Sequence, residues 1–404
     1  MPFDLRLRAF AGALLLTVGS AAAEDMPGIT RTEIKLGQTM PYSGPVSAYG
    51  MLGIGDVAMI RMINDQGGIN GRRITLLSLD DGYNPAKAVE LTRQLVEQDH
   101  VAFLFSSLGT ATNSAVRPYL NQNKVPQLFL ASGSEKWADP KHYPWTMSWQ
   151  GSFRTEAQIY AKYILAHRPN ARIGFLYQND DFGKDYLAGV KDVLGDRYAR
   201  MVVKEASYEP TDPTIDSQIV SIEGAGADTL ITVATPKFAA QAIRKAYDLG
   251  WHPLHFLTNV SVWVSTVMQP AGPEKGIGII SSAYGKDPTD PAWKDDPGMR
   301  QWHAFMAKYL PDRDPNDGNF INSYGIVETL VQVLKQCGDD LSRENVMRQA
   351  ANLHGLVVPT LLPGITISTG PADYHPIKQM QLMRWDGKTW VRFGGIISGA
   401  GPGG

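Results

Sequence analysis

The stretch Phe105-Ser106-Ser107-Leu108-Gly109-Thr110-Ala111-Thr112-Asn113 gathers hydroxyls and backbone N–H groups where a strand pattern gives way to a helix pattern, and it holds no Lys or Arg. The first N–H groups of a helix lack intrahelical partners and attract an anion. The aligned peptide dipoles add roughly 0.3–1 kcal/mol for a charge at that end. Ser107, Thr110 and Thr112 supply hydroxyl donors, and Leu108 and Gly109 supply backbone. Such a turn suits holding a small anion and is poorly equipped to attack one. The plainer alternative is that these residues only cap their own helix, and the turn alone leaves both open.

In open α/β sheets ligands bind beyond the carboxyl ends of strands. Further strand ends carry residues of the same character. One runs through Met40-Pro41-Tyr42-Ser43-Gly44-Pro45 to Tyr49-Gly50; another is Ala131-Ser132-Gly133-Ser134, followed by Trp137; a third leads from Tyr177 to Asp180-Asp181-Phe182-Gly183. Tyr42, Tyr49, Trp137, Trp149, Phe182, Trp263 and Tyr284 cluster near such ends and form a candidate apolar wall for the body of a ligand. Taken singly, each fits ordinary packing.

The readings that involve catalysis are weaker. The histidines are scattered; His252 and His255 flank Pro253 with no His-Glu-x-x-His pattern, and are expected as a loop pair. No Gly-x-Ser-x-Gly elbow and no Walker A motif is present. Gly53-Ile54-Gly55-Asp56-Val57-Ala58 imitates a dinucleotide fingerprint but falls inside a helix pattern. Asp80-Asp81 and Asp180-Asp181 read as strand-end turns. No catalytic residue, cofactor or metal site is therefore expected. A formal net charge of −2 argues against a nucleic-acid partner. Cys337 is the only cysteine, which excludes a disulfide framework and fits a small buried hydrophobe on a helix.

The elements that must position these residues follow from periodicity. Arg6 and Arg8, the apolar run 9–18 and Ala21-Ala22-Ala23 form an export signal over 1–23, with cleavage expected after Ala23. The apolar run is too short to span a bilayer. Short β runs then alternate with amphipathic helices. Strands are expected at 34–36, 74–79, 101–105, 127–131, 172–177 and 229–233. Helices are expected at 53–63, from Asn84-Pro85 onward, around 114–120, at 155–166, 184–193 and 238–249, with one more capped by Asp212-Pro213. This alternation predicts an α/β fold of parallel sheets flanked by helices, and the length fits two of them. The Pro- and Gly-rich stretches 140–144 and 270–278 are candidate crossings between lobes. Runs 381–385 and 389–393 around Asp386-Gly387 signal a hairpin, and 398–404 a frayed tail.

The residues also resemble a known family. Ile34-Lys35-Leu36-Gly37 with Ser43-Gly44-Pro45 and Tyr49-Gly50, the run Ile63-Asn64-Asp65-Gln66-Gly67-Gly68-Ile69-Asn70-Gly71-Arg72, Asp80-Asp81 with Pro85, Ala88 and Leu95, and Asp181-Phe182-Gly183 look like the periplasmic solute-binding proteins of ABC transporters, of the leucine/isoleucine/valine-binding type. The resemblance covers essentially the whole mature chain. It implies two Rossmann-like lobes, 26–148 with 283–376 and 149–282 with 377–400, joined by a three-segment hinge that closes on the ligand. It further implies a periplasmic monomer that hands its solute to an inner-membrane permease.

By that resemblance, the turn Ser107–Thr110 and the strand end Ala131, Ser132 and Gly133 hold a ligand carboxylate. Tyr49 and Phe182 flank the ligand, and Thr235 falls at a further contact position. Tyr42, Trp137 and Tyr284 join the candidate site from the aromatic set. Relatives place an acid after the segment matching Phe256-Leu257, to pair a ligand ammonium. Here the chain reads Thr258-Asn259-Val260-Ser261-Val262-Trp263, which puts Asn259 in the site. A buried ammonium without a carboxylate partner is costly. The departure tilts the expected ligand toward a carboxylate lacking an amine, with an aromatic or branched body; an acid such as Asp180 or Asp181 would restore a branched-chain amino acid. The rival readings are a ligand sensor of the same fold and a Rossmann-type dehydrogenase. The latter lacks a phosphate loop after the first strand, where Pro41 removes a donor.

Overall fold

The computed structural model describes residues 26–398. The expected export signal and residues 399–404 lie outside the described residues. The first sheet is built from β1 (Glu33–Met40), β2 (Arg73–Asp80), β3 (Phe103–Phe105), β4 (Gln127–Leu130) and β5 (Thr146–Ser148), all parallel, in the order β2-β1-β3-β4-β5. The second contains β6 (Ile173–Gln178), β7 (Val202–Tyr208), β8 (Thr229–Val233), β9 (Leu254–Leu257), β10 (Ile280–Ala283), β11 (Gln379–Trp385) and β12 (Trp390–Ser398), in the order β12-β11-β10-β9-β8-β6-β7. Its β6–β10 portion is parallel, and the hairpin β11–β12 closes one edge antiparallel. The fold is thus two α/β lobes with flanking helices, with an antiparallel hairpin added to the second sheet.

The strands are apolar where both faces are covered. Leu36, Phe103, Phe105, Leu128 and Leu130 are fully or almost fully buried in the first sheet, and Phe175, Leu230, Ile231 and Phe256 in the second. Continuous apolar runs are what doubly covered parallel strands require. The helices α1 (Gly50–Asp65), α2 (Pro85–Arg93), α3 (Thr110–Gln122), α4 (Phe153–His167) and α5 (Asp181–Leu194) lie where the periodicity puts them. Asn84 caps α2 by accepting from Ala86 and Lys87 N–H. Gly55 of α1 lies against the helix Asn319–Cys337, where a Cβ would come within 2.1 Å of Ser323 Oγ. The Gly-x-Gly pattern therefore serves helix packing.

Several expectations are corrected. The helix assigned to an Asp212-Pro213 cap starts at Asp216, because the Asp212 carboxylate instead accepts Glu209 N–H at 2.9 Å and closes a turn. The stretch 140–144 precedes β5 and 270–278 precedes β10, so neither leaves its sheet. The chain changes sheet once, after β5; between β10 and β11, which are neighbours in the second sheet, it runs through the helix Asn319–Cys337 that packs on α1 of the first lobe. His255 is no loop residue: it is buried in β9, with Nε2 2.8 Å from Thr232 Oγ1 and its pKa driven down to about 3 by burial. Cys337 is buried on its helix.

Candidate functional site

Each sheet has a point where neighbouring strands lead their connections to opposite faces, and crevices open there. In the first sheet this lies at β1 and β3, and in the second at β6 and β8. The loops after these strands face each other across a cleft with about 880 Å3 of empty space, its open mouth included. Tyr49, Leu108, Gly109, Thr110, Ala131 and Ser132 line it from the first lobe, and Phe182, Thr235 and Asn259 from the second, with Tyr284 at the crossing after β10.

Leu108 and Ala131 form an isolated parallel bridge that extends β3 and β4 into the cleft. Gly109 then turns the chain into α3 with φ +110°, and a Cβ there would meet the Tyr83 ring at 2.6 Å and Thr112 Oγ1 at 2.5 Å. Only glycine fits both the angle and the space. No side chain caps α3, so its first N–H groups remain for a ligand. Thr112 does not contribute its hydroxyl, which donates to Leu108 O at 2.8 Å. Asn113 Nδ2 braces the turn from behind, donating to Ser107 O at 2.9 Å and Gly109 O at 2.7 Å.

Thr110 is different. Its Oγ1 lies 2.7 Å from Ser132 Oγ. Ser132 Oγ also accepts Trp137 Nε1–H at 2.9 Å and Ser134 N–H at 3.4 Å. A hydroxyl has two acceptor sites and one hydrogen, and an indole N–H only donates. With both acceptor sites of Ser132 in use, its hydrogen goes to Thr110, and the Thr110 hydrogen is left for the cleft. The relay turns a neutral hydroxyl pair into a donor with a defined direction.

Four residues expected in the site stand outside the cleft lining. Tyr42 packs over Gly53 and its hydroxyl is 2.6 Å from Ser78 Oγ, which holds it on β2. Ser107 Oγ accepts Thr39 N–H at 3.1 Å and ties β1 to the turn. Gly133 lies where a Cβ would come within 2.2 Å of Gly151 O, so it permits the close approach of two chain segments. Trp137 is buried behind Ser132 and acts through it. Their strand-end positions were legible, but the direction of each side chain depends on partners remote in sequence.

The aromatic wall consists of Tyr49, Phe182, Trp263 and Tyr284. Phe153, also in the lining, packs tilted against Phe182 with ring centroids 4.9 Å apart, and Trp149 meets Tyr284 edge-on at 6.0 Å. Trp263 lies across Gly318, where a Cβ would come within 2.0 Å of the ring. Tyr83, Gln150, Ser282, Asp287, Asn319 and Asn322 also line the cleft and were missed in the sequence. Tyr83 follows Asp80-Asp81-Gly82 and was within reach of the strand-end argument. Asn319 and Asn322 begin a helix far along the chain and carry no local signal.

Among the described residues the cleft lining contains no Lys, Arg or His, and Asp287 is its one acidic side chain. Asp180 caps α5 and accepts from Gln178 Nε2 at 2.7 Å, and Asp181 pairs with Lys136. Neither belongs to the lining. One layer behind Asn259 and Ser282 sits Glu156, fully buried, accepting from Tyr160 and Tyr186 hydroxyls, from Asn259 N–H at 2.9 Å and from Ser282 Oγ at 3.0 Å. Burial pushes its carboxyl up to about 7.

The lobes touch across the cleft. Tyr49 OH donates to Val260 O at 3.0 Å, and Gln178 Nε2 donates to Tyr83 OH at 3.2 Å. Outside the cleft, Asp185 of α5 accepts from Ser134 Oγ at 2.6 Å and from Glu135 N–H at 3.0 Å. Burial raises the Asp185 carboxyl to about 6.

Two α/β lobes with a ligand-sized cleft at their facing switch points define a protein of the type I periplasmic binding fold. The chain belongs to the periplasmic binding protein family, whose model matches residues 33–389. It is 23% identical over 390 residues to the Leu/Ile/Val-binding protein homolog 3 of Brucella melitensis, covering 92% of this chain and 97% of that one. A branched chain amino acid ABC transporter structure from Thermus thermophilus with bound valine superposes with a TM-score of 0.81 at 16% identity, covering 92% of this chain and 98% of that one. A fatty acid ABC transporter substrate-binding protein from Thermomonospora curvata superposes with a TM-score of 0.74 at 20% identity, covering 92% and 94%.

Proposed function

We propose that this protein is the periplasmic substrate-binding component of an ABC importer, which captures a small carboxylate by hinge closure and presents the closed form to an inner-membrane permease. The observation that carries the reading is the uncapped start of α3, with the Thr110 hydroxyl directed into a cleft that holds no cationic side chain among the described residues. A carboxylate accepts such neutral donors well, and each hydrogen bond to a charged group contributes roughly 1.5–3 kcal/mol. The wall of Tyr49, Phe182, Trp263 and Tyr284 suits an aromatic or branched body. The names of the relatives point the same way, since valine and a fatty acid differ in body and share a carboxylate. Export by residues 1–23 and action as a monomer belong to the same proposal.

The test is calorimetric titration of ligand-stripped protein with leucine, benzoate-type acids and phenylpropanoid acids, alongside small-angle scattering. Saturable binding of one class, with a fall in radius of gyration, supports the reading. Heat from none of them, with no compaction, refutes it.

A further inference from the structure

Polar side chains enclosed in a folded chain find hydrogen-bond partners almost without exception. Eight carboxamides are buried among the described residues. Six of them are bonded within the protein: Gln38 to Asp56, Asn113 to Ser107 O, Gln127 to Asn113, Gln178 to Asp180, Asn319 to Asp317 and Asn345 to Asp340 O. The other two, Gln150 and Asn259, are only 9% and 8% exposed, yet their side chains make no hydrogen bond to any described residue. Both line the cleft between the lobes.

Each of the two is held by its backbone. Gln150 follows β5, where Trp149 N–H donates to Leu130 O at 3.2 Å, Phe153 N–H donates to Gly133 O at 2.8 Å and the Trp149 indole donates to Thr329 Oγ1 at 2.8 Å. Asn259 N–H donates to Glu156 Oε1 at 2.9 Å, and Glu156 is fixed in turn by the Tyr160 and Tyr186 hydroxyls. The amides are therefore preorganised groups on a firm wall. A buried amide without a partner costs free energy, which a ligand that supplies the partner recovers. A site built to bond a polar ligand group rejects the analogue lacking it far more strongly than an apolar pocket rejects a missing methylene. A carboxamide presents an acceptor and a donor side by side and carries no charge. The group that answers it is neutral and both donates and accepts, which describes a hydroxyl or an amide.

We propose that Gln150 and Asn259 are specificity residues that bond a neutral hydroxyl or amide substituent on the body of the ligand, so that the solute taken is a substituted acid and not a plain hydrocarbon acid. The inference rests on the carboxylate reading above and deepens it. Thr110 and the start of α3 take the charged end, the aromatic wall takes the body, and the two amides take the substituent that the body carries.

The test titrates ligand-stripped protein with matched pairs of acids: benzoate and 4-hydroxybenzoate, 3-phenylpropionate and 3-(4-hydroxyphenyl)propionate, butanoate and succinamate, with leucine alongside. In the wild type at least one substituted acid is expected to bind about tenfold or more tighter than its hydrocarbon partner. In at least one of the variants Gln150→Met and Asn259→Leu, which keep the bulk and remove the amide, that advantage falls about fivefold or more, while the hydrocarbon acid binds as before or tighter. Wild-type protein that binds the hydrocarbon member of every pair as tightly as its partner, or leucine more tightly than any of these acids, overturns the inference and leaves the carboxylate reading standing. That comparison needs no variant. Equal losses for both members of a pair in both variants, or no loss in either, also overturn it by making the two amides structural. Silence toward every compound, leucine included, overturns the carboxylate reading and this inference with it.

Discussion

The Tyr49 hydroxyl of the first lobe donates to the Val260 carbonyl of the second at 3.0 Å, directly beside the cleft that both residues line. Under the hinge-closure proposal this bond would be made only with the lobes together, so part of the closing energy would be built into the protein itself. Such a contact would bias the proposed balance between open and closed forms before any ligand arrives.

Tyr49→Phe keeps the ring and removes that donor. A net hydrogen bond contributes about 1 kcal/mol, so the variant is expected to bind its ligand roughly fivefold more weakly. Scattering from the unliganded variant should show a larger radius of gyration than the wild type. An unchanged radius together with unchanged affinity contradicts a closing role.

Thr110 and Thr112 sit two residues apart on the same first turn of α3 but do different things. Thr110→Val removes the hydroxyl that Ser132 aligns with the cleft, with an expected loss of roughly 1.5–3 kcal/mol in carboxylate binding. Thr112→Val removes a bond to Leu108 O and should lower stability by about 1 kcal/mol, with little effect on binding. Titration and denaturant unfolding of both variants check the split. Equal binding losses would mean that the turn acts as a unit.

Trp137 serves the ligand at one remove. Trp137→Phe keeps an aromatic ring in the buried site but deletes the N–H that occupies Ser132 Oγ. The freed acceptor site lets Thr110 donate to Ser132 in place of the ligand. Carboxylate affinity should fall severalfold, and the further change Ser132→Ala should add little to that loss. Additive losses in this double-mutant cycle would argue against the relay.

Glu156 ties stability to pH. Burial raises its folded pKa from the ordinary 4.5 to about 7, so the folded protein holds the proton more tightly than the unfolded chain. The stabilisation is fully present below the unfolded value and is lost as pH rises through about 7. Glu156→Gln removes this titration, while Asp56, Asp180 and Asp185, also raised by burial, cancel in the comparison. From about pH 5 to about pH 8 the wild type should lose on the order of 2–3 kcal/mol relative to the variant. Denaturant midpoints measured across that range provide the check, and parallel curves would refute the assignment.

Much of the architecture was written in local pattern. Strand 229–233 was placed residue for residue, and α4 extends the expected 155–166 by a few positions at its ends. Such elements are legible because apolar periodicity and capping act within a turn or two of the chain. β5 was not foreseen, since Thr146–Ser148 is too short to show an alternation. The helix start at Asp216 was misplaced because Asp212 has two possible uses, as a cap and as a turn closer, and only the position of Glu209 N–H decides between them.

The sequence by itself determined the alternation of strand and helix, the uncharged donors at the start of α3 and the absence of an acid at Thr258-Asn259. Tertiary structure alone decided which of those donors faces the cleft, because the Thr110 hydrogen is aimed by Ser132 and Trp137 from another loop. It alone brought Tyr83, Asn319 and Asp287 to one cavity, since the segment between β10 and β11 returns to pack on the first lobe and carries side chains from a remote stretch with it. Charge balance in a binding site is a property of that assembled space, and no window of neighbouring residues contains it.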